Sequence, residues 1–205
     1  VLIDAVSNLI DDVARCIGSP FVTQFRKIFP VLVKYMDHSA IDDRVMAVGT
    51  LAEVSKAIGK ESDPFVDQIF RIALQSASEN HFNVKRNALF GLGVLSENSP
   101  HKAGPHLMNI VQLAIPVIQD KGNSEDGLVD NACGCIARLI VNHSDKIPLQ
   151  QILPIYLSAL PLREDYLENE PVYTSIFKLI ESQNPHAAEN ILQILRVFAE
   201  SLGHL

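Results

Sequence analysis

The sequence has no tryptophan, only three cysteines, no long apolar run and no excess of positive charge. Each shortage removes a class of protein. No apolar stretch approaches the ~18 residues that a membrane-crossing helix needs, so no spanning segment and no membrane partner are expected. Lysine and arginine number 17 against 24 aspartates and glutamates, for a net charge of −7. A nucleic-acid-binding domain carries a basic stripe, so direct nucleic-acid binding is not expected either. Cys16, Cys133 and Cys135 are odd in number, and the last two stand two residues apart, a spacing that on a helix turns them away from each other. All three are expected as buried, reduced thiols of a cytosolic or nuclear protein.

Catalytic patterns are missing as well. There is no Ser-His-Asp or Cys-His arrangement, no phosphate-binding glycine loop and no metal-ligand spacing. The seven histidines (His38, His81, His101, His106, His143, His186 and His204) are scattered, mostly at expected loops or helix ends. Gly91-Leu92-Gly93 falls inside a helical stretch and follows no strand, so it is no dinucleotide loop. The expectation is a protein that is not an enzyme, with no catalytic residues, no cofactor and no metal. The chain starts at Val1 without a methionine or a signal peptide and reads as a fragment of a longer array.

What is present is helical periodicity from end to end. Leu2-Ile3, Val6, Leu9-Ile10, Val13 and Ile17 recur at three and four residues, which predicts an amphipathic helix over 1–17. Gly18 and Pro20 end it. Further helices are expected over 21–37, from Asp42 to Ile58, from Asp63-Pro64 to Ser76, and over 83–98, 104–119, 125–142, 148–160, 169–183 and 185–202. Asp63-Pro64 and Asn184-Pro185 are helix starts of the cap-plus-proline kind. No strand pattern competes.

The helices repeat. The run from Asp43 to Glu53 aligns with Asn87–Glu97, and that run with Asn131–Leu139. Gly49 falls on Gly93, Glu53 on Glu97 and Asn87 on Asn131, each 44 residues on. A period of roughly 40–47 residues in helical sequence is the signature of stacked helix pairs of the HEAT or armadillo kind. Pro30, Pro116 and Pro154 each interrupt an apolar helical run, as in HEAT first helices, which are kinked. The predicted fold is an all-α HEAT-repeat α-solenoid, a right-handed superhelix of antiparallel helix pairs. One array covers 1–205, with repeats at 1–17 (second helix only), 21–58, 64–98, 104–142, 148–183 and 185–202 (first helix only).

Second helices line the concave wall of such a stack. Their shared face holds Asp43, Met46, Thr50 and Glu53 in one repeat, Asn87, Phe90, Gly91, Val94, Glu97 and Asn98 in the next, and Asn131, Gly134, Cys135, Arg138 and Asn142 in the third. Carboxylates accept charge-assisted hydrogen bonds from lysine and arginine. Asparagine amides can hold a peptide backbone, and Gly91 and Gly134 leave room beside them. Glu164, Asp165, Glu168 and Glu170 form a further acidic group, with Tyr166 and Tyr173 as aromatic walls for a cation.

Several of these runs resemble a known family. Gly49-Thr50-Leu51-Ala52-Glu53, Asn87 to Leu95, Asp130 to Leu139, Leu160-Pro161-Leu162-Arg163-Glu164-Asp165 and Ile180 to Pro185 look like the C-terminal HEAT repeats of the importin-beta (karyopherin-beta) family. The branch it is most similar to imports core histones and ribosomal proteins. The resemblance implies a nuclear import receptor that shuttles between cytoplasm and nucleus and binds basic localisation signals. It implies release of cargo to Ran-GTP through N-terminal repeats absent from this chain, and contact with phenylalanine-glycine repeats of nucleoporins. On concave placement, the expected cargo-binding residues are Glu53, Asn87, Glu97, Asp130, Asn131, Glu168 and Glu170, taking histone tails or ribosomal proteins. The alternative is a HEAT-repeat scaffold of another complex, phosphatase or chromosome-associated.

Overall fold

The structure is a computed structural model and describes residues 2–203, with side chains from Ala5 onward; His204, one of the seven histidines, lies outside the described residues. Among the described residues there are helices and no strand. In chain order they are α1 (Leu2–Ile17), α2 (Val22–Tyr35), α3 (Ile41–Ile58), α4 (Val66–Ala77), α5 (Phe82–Asn98), α6 (Pro100–Ala103), α7 (Leu107–Gln119), α8 (Asp126–His143), α9 (Leu149–Ser158), α10 (Asn169–Glu181), α11 (Pro185–Glu189) and α12 (Ile191–Gly203). Short 3-10 segments at Ser19–Phe21, Gly59–Phe65, Gly104–His106 and Tyr166–Glu168 lead into helices. The chain forms two compact units, Val1–Ala103 and Gly104–Leu205.

In the first unit α3 packs against both α1 and α5, while α2 packs on α3 and α4 on α5. The second helices thus form one layer, α1-α3-α5, on which α2 and α4 pack. Gly18 and Gly59 end α1 and α3 at φ 69° and 57°, a left-handed conformation that costs glycine nothing. Phe25, Phe29 and Phe65 interlock under the layers, with ring centroids 4.9–5.5 Å apart. In the second unit α8 packs with α7 and α10, and α9 with α7 and α12. The buried Tyr156 closes its core, its hydroxyl 3.0 Å from Ser175 Oγ. Pro30, Pro116 and Pro154 lie inside α2, α7 and α9, all first helices.

Four local expectations change. The apolar stripe of α1 does not face α3: Val6, Leu9, Val13 and Ile17 are exposed, and Ser7 and Ala14 are the buried positions. Cys16 is accordingly exposed; Cys133 and Cys135 are buried, and burial pushes the Cys135 thiol up to about 12. Asp63 does not cap a helix. Its carboxylate accepts from Ser99 Oγ at 2.7 Å and pairs with Lys102, and the Ser99 bond above all holds it below the usual carboxylate range. The last predicted helix breaks in two at Asn190, whose side chain donates to the His186 carbonyl at 2.8 Å and competes with the helix ladder. Asn184, by contrast, caps α11 as expected, accepting from the His186 N–H at 3.0 Å.

Candidate functional site

The second-helix layer of the first unit carries a polar cavity of about 480 Å³. It opens over three helices. Ser7, Asn8 and Asp11 come from α1; Asp42, Val45, Met46, Gly49, Thr50 and Glu53 from α3; Asn87 and Phe90 from α5. Two predicted binding residues, Glu53 and Asn87, therefore share one site. Spacing explains the assembly: 42, 46, 49, 50 and 53 lie on one face of α3 at three- and four-residue steps.

Asn87 is half structural. Its Nδ2 donates to the Val45 carbonyl at 3.0 Å, tying α5 to α3. Gly49 makes this tie fit, since a Cβ there would come within 2.8 Å of that nitrogen. In this pair of repeats the glycine of one second helix thus receives the asparagine of the next. Gly91 leaves no room for a ligand either, because a Cβ there would meet Ala52 Cβ at 3.2 Å.

Asp11 was missed by sequence reading, because it sits among the apolar residues of α1 and carries no repeat signature. Burial, and then the neighbouring charge of Glu53, raise its carboxyl from 3.8 to about 7. The Thr50 hydroxyl lies near enough to favour the ionised form slightly, yet no hydrogen bond closes: Asp11 Oδ1 and Thr50 Oγ1 are both buried without a partner. Glu97 stands apart from this cavity, exposed near the end of α5. Lys56 Nζ lies 5.2 Å from the centre of the Phe90 ring, beside the cavity wall.

The other predicted residues belong to the second unit, and most turn inward. Asp130 is 1% exposed and accepts three backbone N–H bonds, from Arg163, Glu164 and Asp165, at 2.7–3.2 Å. Burial raises its carboxyl above the ordinary value, against the pull of those three donors. Asn131 donates to the Asp165 carboxylate and to the Gly127 carbonyl, both at 2.9 Å. Glu164 in turn accepts from the Gly127 N–H at 3.0 Å, at the positive end of α8. The run Leu160 to Asp165 is thereby wrapped onto the first turns of α8.

Glu168 is also 1% exposed and forms a two-pronged pair with Arg138. Its carboxylate fills the space where Gly134 has no side chain, so that a Cβ at Gly134 would fall inside it. Burial and internal partners thus turn Asp130, Asn131 and Glu168 from expected cargo contacts into framework. Glu168 and Glu170 do not act as a pair, since Glu170 is exposed on α10. Tyr166 is exposed with its hydroxyl bonded to the Arg163 carbonyl, and Tyr173 stacks on Phe198.

This arrangement of stacked helix pairs has relatives. The chain is 33% identical over 202 residues to the probable importin subunit beta-4 of Schizosaccharomyces pombe, a match covering 98% of this chain and 19% of that protein. Importin-4 of Homo sapiens is 32% identical and importin-4 of Mus musculus 31%, each over 182 residues and 88% of this chain. The chain belongs to the importin-beta family. Its fold is that family's all-α HEAT-repeat fold. The chain spans less than a fifth of the length of these relatives, 16–19%. No protein-family model matches it. The importin relatives are transport receptors and not enzymes, in line with the non-catalytic expectation. No helix among the described residues is long and apolar enough to cross a membrane.

Proposed function

We propose that this chain is the cargo-binding part of a nuclear import receptor that shuttles between cytoplasm and nucleus. It recognises lysine- and arginine-rich localisation signals, of the kind found in histone tails and ribosomal proteins, through Glu53, Asn87, Glu97 and Glu170. Asp130, Asn131 and Glu168 hold the helices and the 160–165 loop of the second unit together. The observation that carries the reading is the polar cavity, where acidic and amide groups of three successive second helices converge on one opening. Ran-GTP and nucleoporin repeats are partners of the whole receptor in this reading.

The test is isothermal titration of a lysine-rich histone-tail peptide. Glu53→Lys, on the cavity lining, and Glu97→Lys, at an exposed position of the same unit, should each weaken binding by roughly tenfold, equivalent to ~1.4 kcal/mol. Unchanged affinity in both variants would move the cargo surface elsewhere.

A further inference from the structure

We propose that Ser39, in the turn between α2 and α3, is a phosphorylation site of an acid-directed serine kinase, and that the Arg44 guanidinium holds the phosphate. None of the residues assigned to cargo takes part.

Asp37, His38, Ser39 and Ala40 are exposed and lie outside both helices. Asp42 and Asp43 follow Ser39 by three and four residues. Of the exposed serines among the described residues, Ser39 alone has acids at both places. A kinase whose substrate groove carries lysines and arginines reads a serine by such acids, through charge-assisted pairs. Such a groove takes an extended segment, and Ala40 is extended, at φ −71° and ψ 123°. Ala40 also stands at the N-cap of α3 with no side-chain hydrogen bond, so the first turn, which holds both acids, opens at little cost.

The kinase brings the γ-phosphoryl group of ATP. Ser39 Oγ attacks the γ-phosphorus, and the bond from that phosphorus to the β–γ bridging oxygen breaks. ADP leaves, and the hydroxyl proton passes to the kinase's catalytic carboxylate. The new group carries a charge of about −1.5 to −2 and three strong acceptor oxygens. Asp37, Asp42 and Asp43 are its neighbours in sequence and repel it; Asp43 is engaged by His38, with Nδ1 2.8 Å from its Oδ2. Arg44 offsets that repulsion. Its Nη1 donates to the carbonyls of His38 at 3.0 Å and of Ser39 at 3.4 Å, so the guanidinium is fixed beside the modified residue. Its Nη2 donates to Glu79 Oε2 at 3.2 Å, in the turn after α4. A phosphate offers that fork more charge and a two-pronged contact, and so outcompetes a single carboxylate oxygen. Phosphorylation therefore exchanges the Arg44–Glu79 tie, which joins the turns of two successive repeats, for one inside the α2–α3 turn.

The experiment incubates the folded chain with ATP and a purified acid-directed serine kinase and maps the phosphate by tandem mass spectrometry. Ser39 should be labelled. Asp42→Asn combined with Asp43→Asn should slow the labelling roughly tenfold, with circular dichroism confirming the fold. Phosphorus NMR then follows the second ionisation of the phosphate, ordinarily at about 6. A guanidinium on the phosphate favours the dianion, so the midpoint should be higher in phosphorylated Arg44→Gln than in phosphorylated wild type. Labelling of an isolated peptide spanning residues 34–47 without labelling of the folded chain overturns the site, as does no labelling of either. Equal midpoints in wild type and Arg44→Gln overturn the capture by Arg44. All of these outcomes leave the import-receptor reading to its own test.

Discussion

At the scale of single residues, three glycines of the second helices are receptors for side chains that follow about one repeat later. Gly49 accommodates Asn87, Gly127 the Glu164 carboxylate and Gly134 the Glu168 carboxylate. Gly134→Ala should therefore push Glu168 off Arg138 and leave a buried charge without its partner. We expect a loss of ~3 kcal/mol or more in urea unfolding, because breaking a buried pair strands the remaining ion. Gly104→Ala, at a position with nothing within 4 Å of the added carbon, should change little. Arg138→Met alone should be as damaging as Gly134→Ala. The double variant Arg138→Met, Glu168→Leu should recover much of the loss, since replacing both ions by apolar groups removes the desolvation cost.

At the scale of elements, neighbouring repeats are laced by side chains that reach a backbone carbonyl about one repeat away. Asn87 donates to Val45 and Asn98 to Ser55, 42 and 43 residues distant, so α5 is tied to α3 near both ends. Arg196 reaches the Leu157 carbonyl at 2.7 Å in the same manner. Asn98→Ala should cost about 1–2 kcal/mol of stability, because the Ser55 carbonyl loses its side-chain donor. The loop from Leu160 to Asp165 depends on one carboxylate. Asp130→Ala should speed amide hydrogen exchange at Arg163, Glu164 and Asp165, while the amides of mid-α8 stay protected.

At the scale of the whole molecule, acidity and packing pull against each other. The net charge of −7 favours approach of a basic partner. Raising salt from about 0.1 to about 1 M shortens the screening length from about 10 to about 3 Å, so affinity for a lysine-rich peptide should fall across that range. Burying Asp11 also writes a pH dependence into stability. The folded protein keeps this proton up to about 7, and the unfolded chain releases it near 3.8. Between those limits the folded state binds more protons, so stability falls as pH rises from about 4 to about 7 and is flat beyond. Asp11→Asn should remove that slope, read as the difference in urea midpoint between variant and wild type growing with pH.

Helix positions, the all-α repeat and the family were legible in the sequence, because three- and four-residue spacing and a 44-residue offset need only local order to be seen. Glu53 and Asn87 were legible for the same reason: each occupies a repeated position on a second helix. The partners of charged groups were not. Arg138 and Glu168 are 30 residues apart, and Asp130 and its three N–H donors more than 30, so nothing in either local pattern says that one buries the other. Asp11 belongs to an apolar helix whose stripe suggests the opposite face for packing. By itself, then, the sequence determined which segments are helices and that they stack. Only tertiary structure decided which carboxylates face solvent and which are consumed inside, because that choice depends on the volume left between helices, and a missing Cβ on one helix sets it for a side chain on the next.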